Sequence, residues 1–157
     1  MTLSVCQLRP ESSGSIHIQS NTPDAAPAIR PNFLSDQLDR DTLVEGMRIA
    51  RRVGEAPSLA KFREYELYPG GDCQSYDEIL EFCRNSGATV FHPIGTCKMG
   101  RDRAAVVDDQ LRVRGIDGLR VVDASIMPTL VSGNTNAAAI MIGEKGADMI
   151  LSPGKRA

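Results

Sequence analysis

This chain contains two histidines, and one of them stands where chemistry is easy to arrange. His92 ends a short apolar run and is followed by a proline and a glycine, in Phe91-His92-Pro93-Ile94-Gly95-Thr96. An imidazole titrates near a pH of about 6.5, so at neutral pH it can take a proton from a substrate oxygen or stabilise the charge left there. A later block, Val122-Asp123-Ala124-Ser125-Ile126-Met127-Pro128, leads through Ser132-Gly133-Asn134-Thr135-Asn136 into a helix of small residues. Asn134 offers an amide that donates or accepts without changing charge. The free backbone N–H groups expected around Thr135, Asn136 and Ala137, at the helix start, attract anions or the electron-rich edge of a ring. A base, an amide and a helix N-terminus together can move a proton and hold negative charge.

Each of these residues also has a plainer use. His92 could be a core histidine satisfied by backbone, and Asn134, after Gly133, a turn residue that tolerates left-handed geometry. Asn134 or Thr135 could simply cap the helix. His17 falls on the polar side of an alternating segment and reads as a solvated side chain. Cys97 lies close to His92 in sequence, but no third orienting group or preceding helix start marks it as a nucleophile.

Several elements must position these groups. Residues 14–20 alternate polar and apolar as a half-buried strand does, with Ile16 and Ile18 on one face. Residues 21–31, with Pro23, Pro27 and Pro31, read as loop. Leu43, Met47 and Ala50 keep helical spacing over 41–53, with arginines toward the end and Gly54 as a stop. Ser75 and Glu78 form a capping-box pattern that opens a helix through Ile79, Leu80, Phe82 and Cys83 to Gly87, after a turn at 68–72. Residues 88–91 read as a β-type run into His92, and 106–113 and 119–123 as two strands around a glycine-bearing connection. A closely packed helix follows at 137–151, and 152–157 form a tail.

The composition is that of an ordinary globular domain. Of 157 residues 41% are apolar and 24% charged, which argues against disorder or a membrane span. A formal net charge of −2, without a basic run, removes the electrostatic footprint of a nucleic-acid binder. The four cysteines lack a Cys-x-x-Cys pair, so no metal site is expected and reduced thiols in a cytoplasmic protein are the plain reading.

The blocks above, taken in order, resemble the C-terminal part of the glucose, methanol and choline oxidoreductase family, with a choline dehydrogenase-like flavour. The resemblance runs from about residue 5 to 151. It is carried by Gly14-Ser15-Ile16, Pro31-Asn32-Phe33-Leu34-Ser35, His92-Pro93-Ile94-Gly95-Thr96-Cys97-Lys98-Met99-Gly100, Val107-Asp108 with Leu111-Arg112-Val113, and Gly118-Leu119-Arg120-Val121-Val122-Asp123-Ala124-Ser125 onward. It implies an α+β fold: an antiparallel or mixed sheet packed with helices on the substrate side (about 5–105), then a strand-turn-helix segment (about 106–151) completing an FAD-binding domain. It also implies FAD, an alcohol substrate oxidised at CH–OH by a dehydrogenase or oxidase, and an N-terminal dinucleotide-binding half whose Gly-x-Gly-x-x-Gly loop this chain lacks. By the same resemblance His92 and Asn134 are catalytic. Asp123 and Ala124 approach the FAD phosphate and ribityl region, while Thr135, Asn136 and Ala137 lie by the flavin's pyrimidine edge. Ala138 and Ala139 replace the Pro-Thr of many members, and Lys98 a commoner arginine. A location in the cytoplasm or on the inner membrane surface, and self-association through faces meant for the absent half, complete the expectations. A detached, non-catalytic interaction module is the alternative.

Overall fold

The computed structural model describes residues 1–152; most of the expected tail lies outside them. Among the described residues, two strands and three α-helices make an α+β architecture that divides into two compact units, Met1–Thr89 and Val90 onward. No helix among them is long and apolar enough to cross a membrane.

The first unit holds both strands and two of the three α-helices described. Helix α1 spans Gln37–Gly54, beginning earlier than its apolar spacing suggests because the Asp36 carboxylate accepts the Leu38 N–H at 2.8 Å. Gly54 is its last residue rather than its stop, and Glu55 is the C-cap. Helix α2 spans Tyr76–Ser86 and opens on the expected capping box: Ser75 Oγ accepts the Glu78 N–H at 3.2 Å, and Glu78 Oε2 accepts the Ser75 N–H at 2.8 Å. Val44 of α1 packs with Ile79, Leu80 and Cys83 of α2 in the core of this unit.

The N-terminal segment lies along α1. Val5 fills the space that a side chain at position 46 would need, which is why Gly46 is there. Asp39, 2% exposed, accepts the N–H groups of Glu11 and Ser12 at 2.9 and 2.8 Å and the Gln7 amide at 3.3 Å. Burial pushes this carboxyl up, but the hydrogen bonds from Ser12, Glu11 and Gln7 outweigh it and hold it below the usual carboxylate range.

The alternating segment forms strand β1, Ser15–His17, paired antiparallel with β2, Ala28–Arg30. Both expectations for this region need correction. β2 lies inside the stretch read as loop, and β1 is exposed on every residue, with Ile18 beyond it 88% exposed. Two strands with no layer over them cannot bury a face.

The second unit is built mainly from turns. Its helix α3 spans Asn136–Leu151, and a 3₁₀ turn occupies Ala124–Ile126. Val107, Leu111, Ile126, Met127 and Ile142 form its core, with Ile94, Val121 and Val122 packed against them. The expected strands at 106–113 and 119–123 reduce to isolated bridges, Val107 with Val113 and Arg112 with Arg120. The chain reverses at Asp108, whose carboxylate accepts the N–H groups of Gln110 and Arg112 at 2.9 and 3.0 Å. Leu111 completes the turn at φ 61°, a left-handed conformation that ends any strand there. The expected strand at 88–91 is likewise absent, because Phe91 turns at φ 57°.

Candidate functional site

The geometry around His92 is set by backbone. Pro93 confines the histidine to extended φ/ψ, and Phe91 on its other side is left-handed. Such a conformation costs a non-glycine residue of order 1 kcal/mol, and it turns the chain immediately before His92. Beyond, Gly95 turns at φ 84°, and its carbonyl accepts the Lys98 N–H at 3.3 Å. The strip that follows is stitched to the 3₁₀ turn: Cys97 N–H donates to the Ser125 carbonyl at 3.0 Å and Met99 N–H to the Ile126 carbonyl at 2.7 Å. Ile126 and Met127 anchor that turn in the core. The two sequence blocks are thus fastened side by side.

They meet at one polar contact. His92 Nδ1 lies 2.9 Å from Thr135 Oγ1. The histidine is half-buried, and the threonine is 8% exposed. The Asn134 amide does not make this contact; it belongs to the neighbouring Thr135. Consecutive residues entering a helix point in different directions, so only one of them can face the ring. The Asn134 side chain is exposed and has no hydrogen bond among the described residues, which leaves its amide open to a ligand.

Thr135 is the N-cap of α3, yet its side chain makes no capping bond. Its carbonyl accepts the Ala139 N–H at 2.8 Å, so the N–H groups of Asn136, Ala137 and Ala138 have no intrahelical acceptor. Asn136 and Ala137 are exposed and short, and an electron-rich group can approach them closely. Asp123, also exposed, directs its carboxylate to the Ser125 N–H at 2.7 Å, capping the 3₁₀ turn that begins at Ala124. What Asp123 and Ala124 can offer outward is chiefly backbone.

Neither His17 nor the Cys97 thiol makes a hydrogen bond to His92 or Thr135 among the described residues. His17 is exposed in β1 of the first unit, as its polar position predicts. Cys97 contributes its backbone N–H to the stitching, and its thiol, like the other three, is free. An open hollow on the first unit, lined by Pro69, Cys73, Phe82 and several carboxylates, contains none of the candidate site residues. Thr135 is the residue that the structure adds beside the histidine. Its signal was its N-cap position, where a hydroxyl has a choice of partners.

A set of turns thus presents a histidine beside a helix start that has no side-chain cap, an arrangement able to receive an electron-rich group, and the comparisons give the chain a family. The profile described as GMC oxidoreductase matches residues 10–143. The chain belongs to the GMC oxidoreductase family. It is 49% identical over 150 residues to the alcohol dehydrogenase [acceptor] of Pseudomonas putida, covering 96% of this chain and 27% of that one. It is 50% identical over 146 residues to the oxygen-dependent choline dehydrogenase of Cronobacter sakazakii, covering 93% and 26%. Among solved structures, pyridoxine 4-oxidase from Mesorbium loti superposes with a TM-score of 0.89 at 38% identity, over 94% of this chain and 29% of that one. An FAD-dependent oxidoreductase from Chaetomium thermophilum does so with a TM-score of 0.84 at 30% identity, over 92% and 25%. The chain therefore spans about a quarter of the length of the relatives it matches.

Proposed function

We infer that this chain is the active-site and substrate-side portion of an FAD-dependent oxidoreductase that oxidises the CH–OH group of an alcohol. The observation that carries the reading is the meeting of His92 with Thr135 beside the open amide of Asn134 and the uncapped start of α3.

The residues present fit part of FAD. Three N–H groups without intrahelical acceptors, framed by Asn136 and Ala137, suit the hydrogen-bond-accepting edge of a flavin's pyrimidine ring, and the backbone of Asp123 and Ala124 suits its chain. The glycine-rich turn that a pyrophosphate needs has no counterpart in this sequence. FAD, when bound, accepts the hydride released from the alcohol carbon. His92 takes the hydroxyl proton or stabilises the alkoxide, and Asn134 holds the substrate oxygen by an uncharged hydrogen bond. The helix N-terminus stabilises negative charge by about 1 kcal/mol.

A small alcohol of the kind named by the choline and alcohol dehydrogenase relatives is the proposed substrate. The free thiols suit a reducing compartment, and a cytoplasmic setting is part of the same proposal.

The test is anaerobic stopped-flow reduction of the flavin in the complete flavoprotein containing this chain. His92→Ala should slow reduction by about 10²- to 10⁴-fold, the usual worth of a positioned acid or base, while bound flavin persists. Asn134→Ala should act in the same direction but less, and His17→Ala should leave the rate unchanged. Parental reduction by the His92→Ala protein removes His92 from the mechanism and defeats the reading.

A further inference from the structure

We propose that Thr135 is a positioning residue for His92: its hydroxyl oxygen accepts the Nδ1–H of the neutral ring, which leaves Nε2 bare to take the alcohol's proton. The proposal rests on the alcohol-oxidation reading above and says in which form His92 serves it.

Thr135 occupies a position where a threonine hydroxyl ordinarily accepts an N–H from the first helical turn. It makes no such bond, and its oxygen lies instead 2.9 Å from the ring nitrogen of a residue 43 positions away. That nitrogen is the side chain's one hydrogen-bond partner among the described residues, and Thr135 is 8% exposed. The contact is therefore directional and shielded, and the helix forgoes a cap for it.

The backbone alone cannot supply this. Pro93 and the left-handed Phe91 fix where the His92 side chain starts, but the imidazole can still rotate end over end about its last torsion. A hydrogen bond to Nδ1 removes that freedom and makes Nε2 the nitrogen left for a ligand. A neutral imidazole carries one proton, so a base acting through Nε2 must hold it on Nδ1, and Nδ1–H then needs an acceptor. A hydroxyl oxygen with two lone pairs supplies it. When Nε2 takes the hydroxyl proton the ring becomes an imidazolium with an N–H on both nitrogens. The Nδ1–H still meets the same oxygen, so the charged form is stabilised without rearrangement.

The chain's two histidines make the test direct. In the 157-residue protein with ¹⁵N-labelled histidine, long-range ¹H–¹⁵N spectra above the ring pKa distinguish a protonated from a bare nitrogen. His92 should carry its proton on Nδ1, the minor form of a free imidazole, while exposed His17 shows the solution mixture. Thr135→Ser should keep the His92 pattern, and Thr135→Val should move it to that of His17. A parental His92 with its proton on Nε2, or a pattern unchanged by Thr135→Val, overturns the proposal. In the complete flavoprotein, Thr135→Val should lower the flavin-reduction rate by about tenfold, a fraction of what a positioned base contributes, with KM little changed and with restoration by Thr135→Ser. An Nδ1–H tautomer in a protein whose His92→Ala variant reduces normally sinks the catalytic reading and this proposal with it. An Nε2–H tautomer with a crippled His92→Ala variant sinks the Thr135 proposal alone.

Discussion

Gly146 of α3 leaves open the space that the Val122 side chain fills, so the valine of the segment leading into the 3₁₀ turn packs directly on the helix backbone. Both residues pack within the second unit, Gly146 buried and Val122 half-buried against the core. The contact fixes α3 relative to Asp123 and Ala124, two of the residues proposed above to meet the cofactor.

Gly146→Ala should therefore destabilise the protein, although alanine is the better helix former by about 1 kcal/mol. Overpacking of a fitted contact costs roughly 1–3 kcal/mol and should win. Val122→Ala frees the same space, so the double variant should be more stable than Gly146→Ala alone. Urea denaturation of the four proteins checks the sign of that coupling.

Asp39 should make stability fall in acid. Its folded-state carboxyl titrates below the ordinary value of about 3.9, so its contribution is fully present above that pH and is lost as pH falls through the lower, folded-state value. Asp39→Asn should flatten this loss and lower stability near neutrality by about 1–3 kcal/mol, since Glu11 and Ser12 lose a charged acceptor. Thermal unfolding of both proteins between pH 7 and pH 3 compares the slopes. Equal slopes would remove Asp39 as their source.

The 157-residue chain should self-associate. Ile140, Met141, Ile150 and Leu151 on α3 are each more than half exposed, and Leu119 is 47% exposed. Val121 and Val122 are not part of this free surface, because both pack against the unit's own core. Exposed apolar surface on this scale promotes association. Light scattering across a concentration series should show growth, reduced by Ile140→Lys with Ile150→Lys; a clean monomer throughout contradicts it.

Purified alone, the chain should be colourless. The start of α3 offers N–H donors to one edge of a flavin, but the pyrophosphate has no glycine-rich helix start to hold it. Flavin retained in equal amount through gel filtration would refute this.

Much of this protein is written locally. The capping box at Ser75 and Glu78 needs only residues three apart, and the amphipathic spacing of α1 needs only its own stripe. The ordered blocks around His92 and Asp123 identify the family because their chemistry depends on residue type and order. Tertiary structure decided what depended on distant partners. Strands expected at 106–113 and 119–123 gave way to a turn held by Asp108, since one side chain collecting two N–H groups competes with a ladder that has few neighbours. The partner of His92 could not be read from spacing either. Whether Asn134 or Thr135 faces the ring depends on the direction in which α3 enters, and that direction is set by the packing of Val122 against Gly146 and of Ile126 and Ile142 in a shared core.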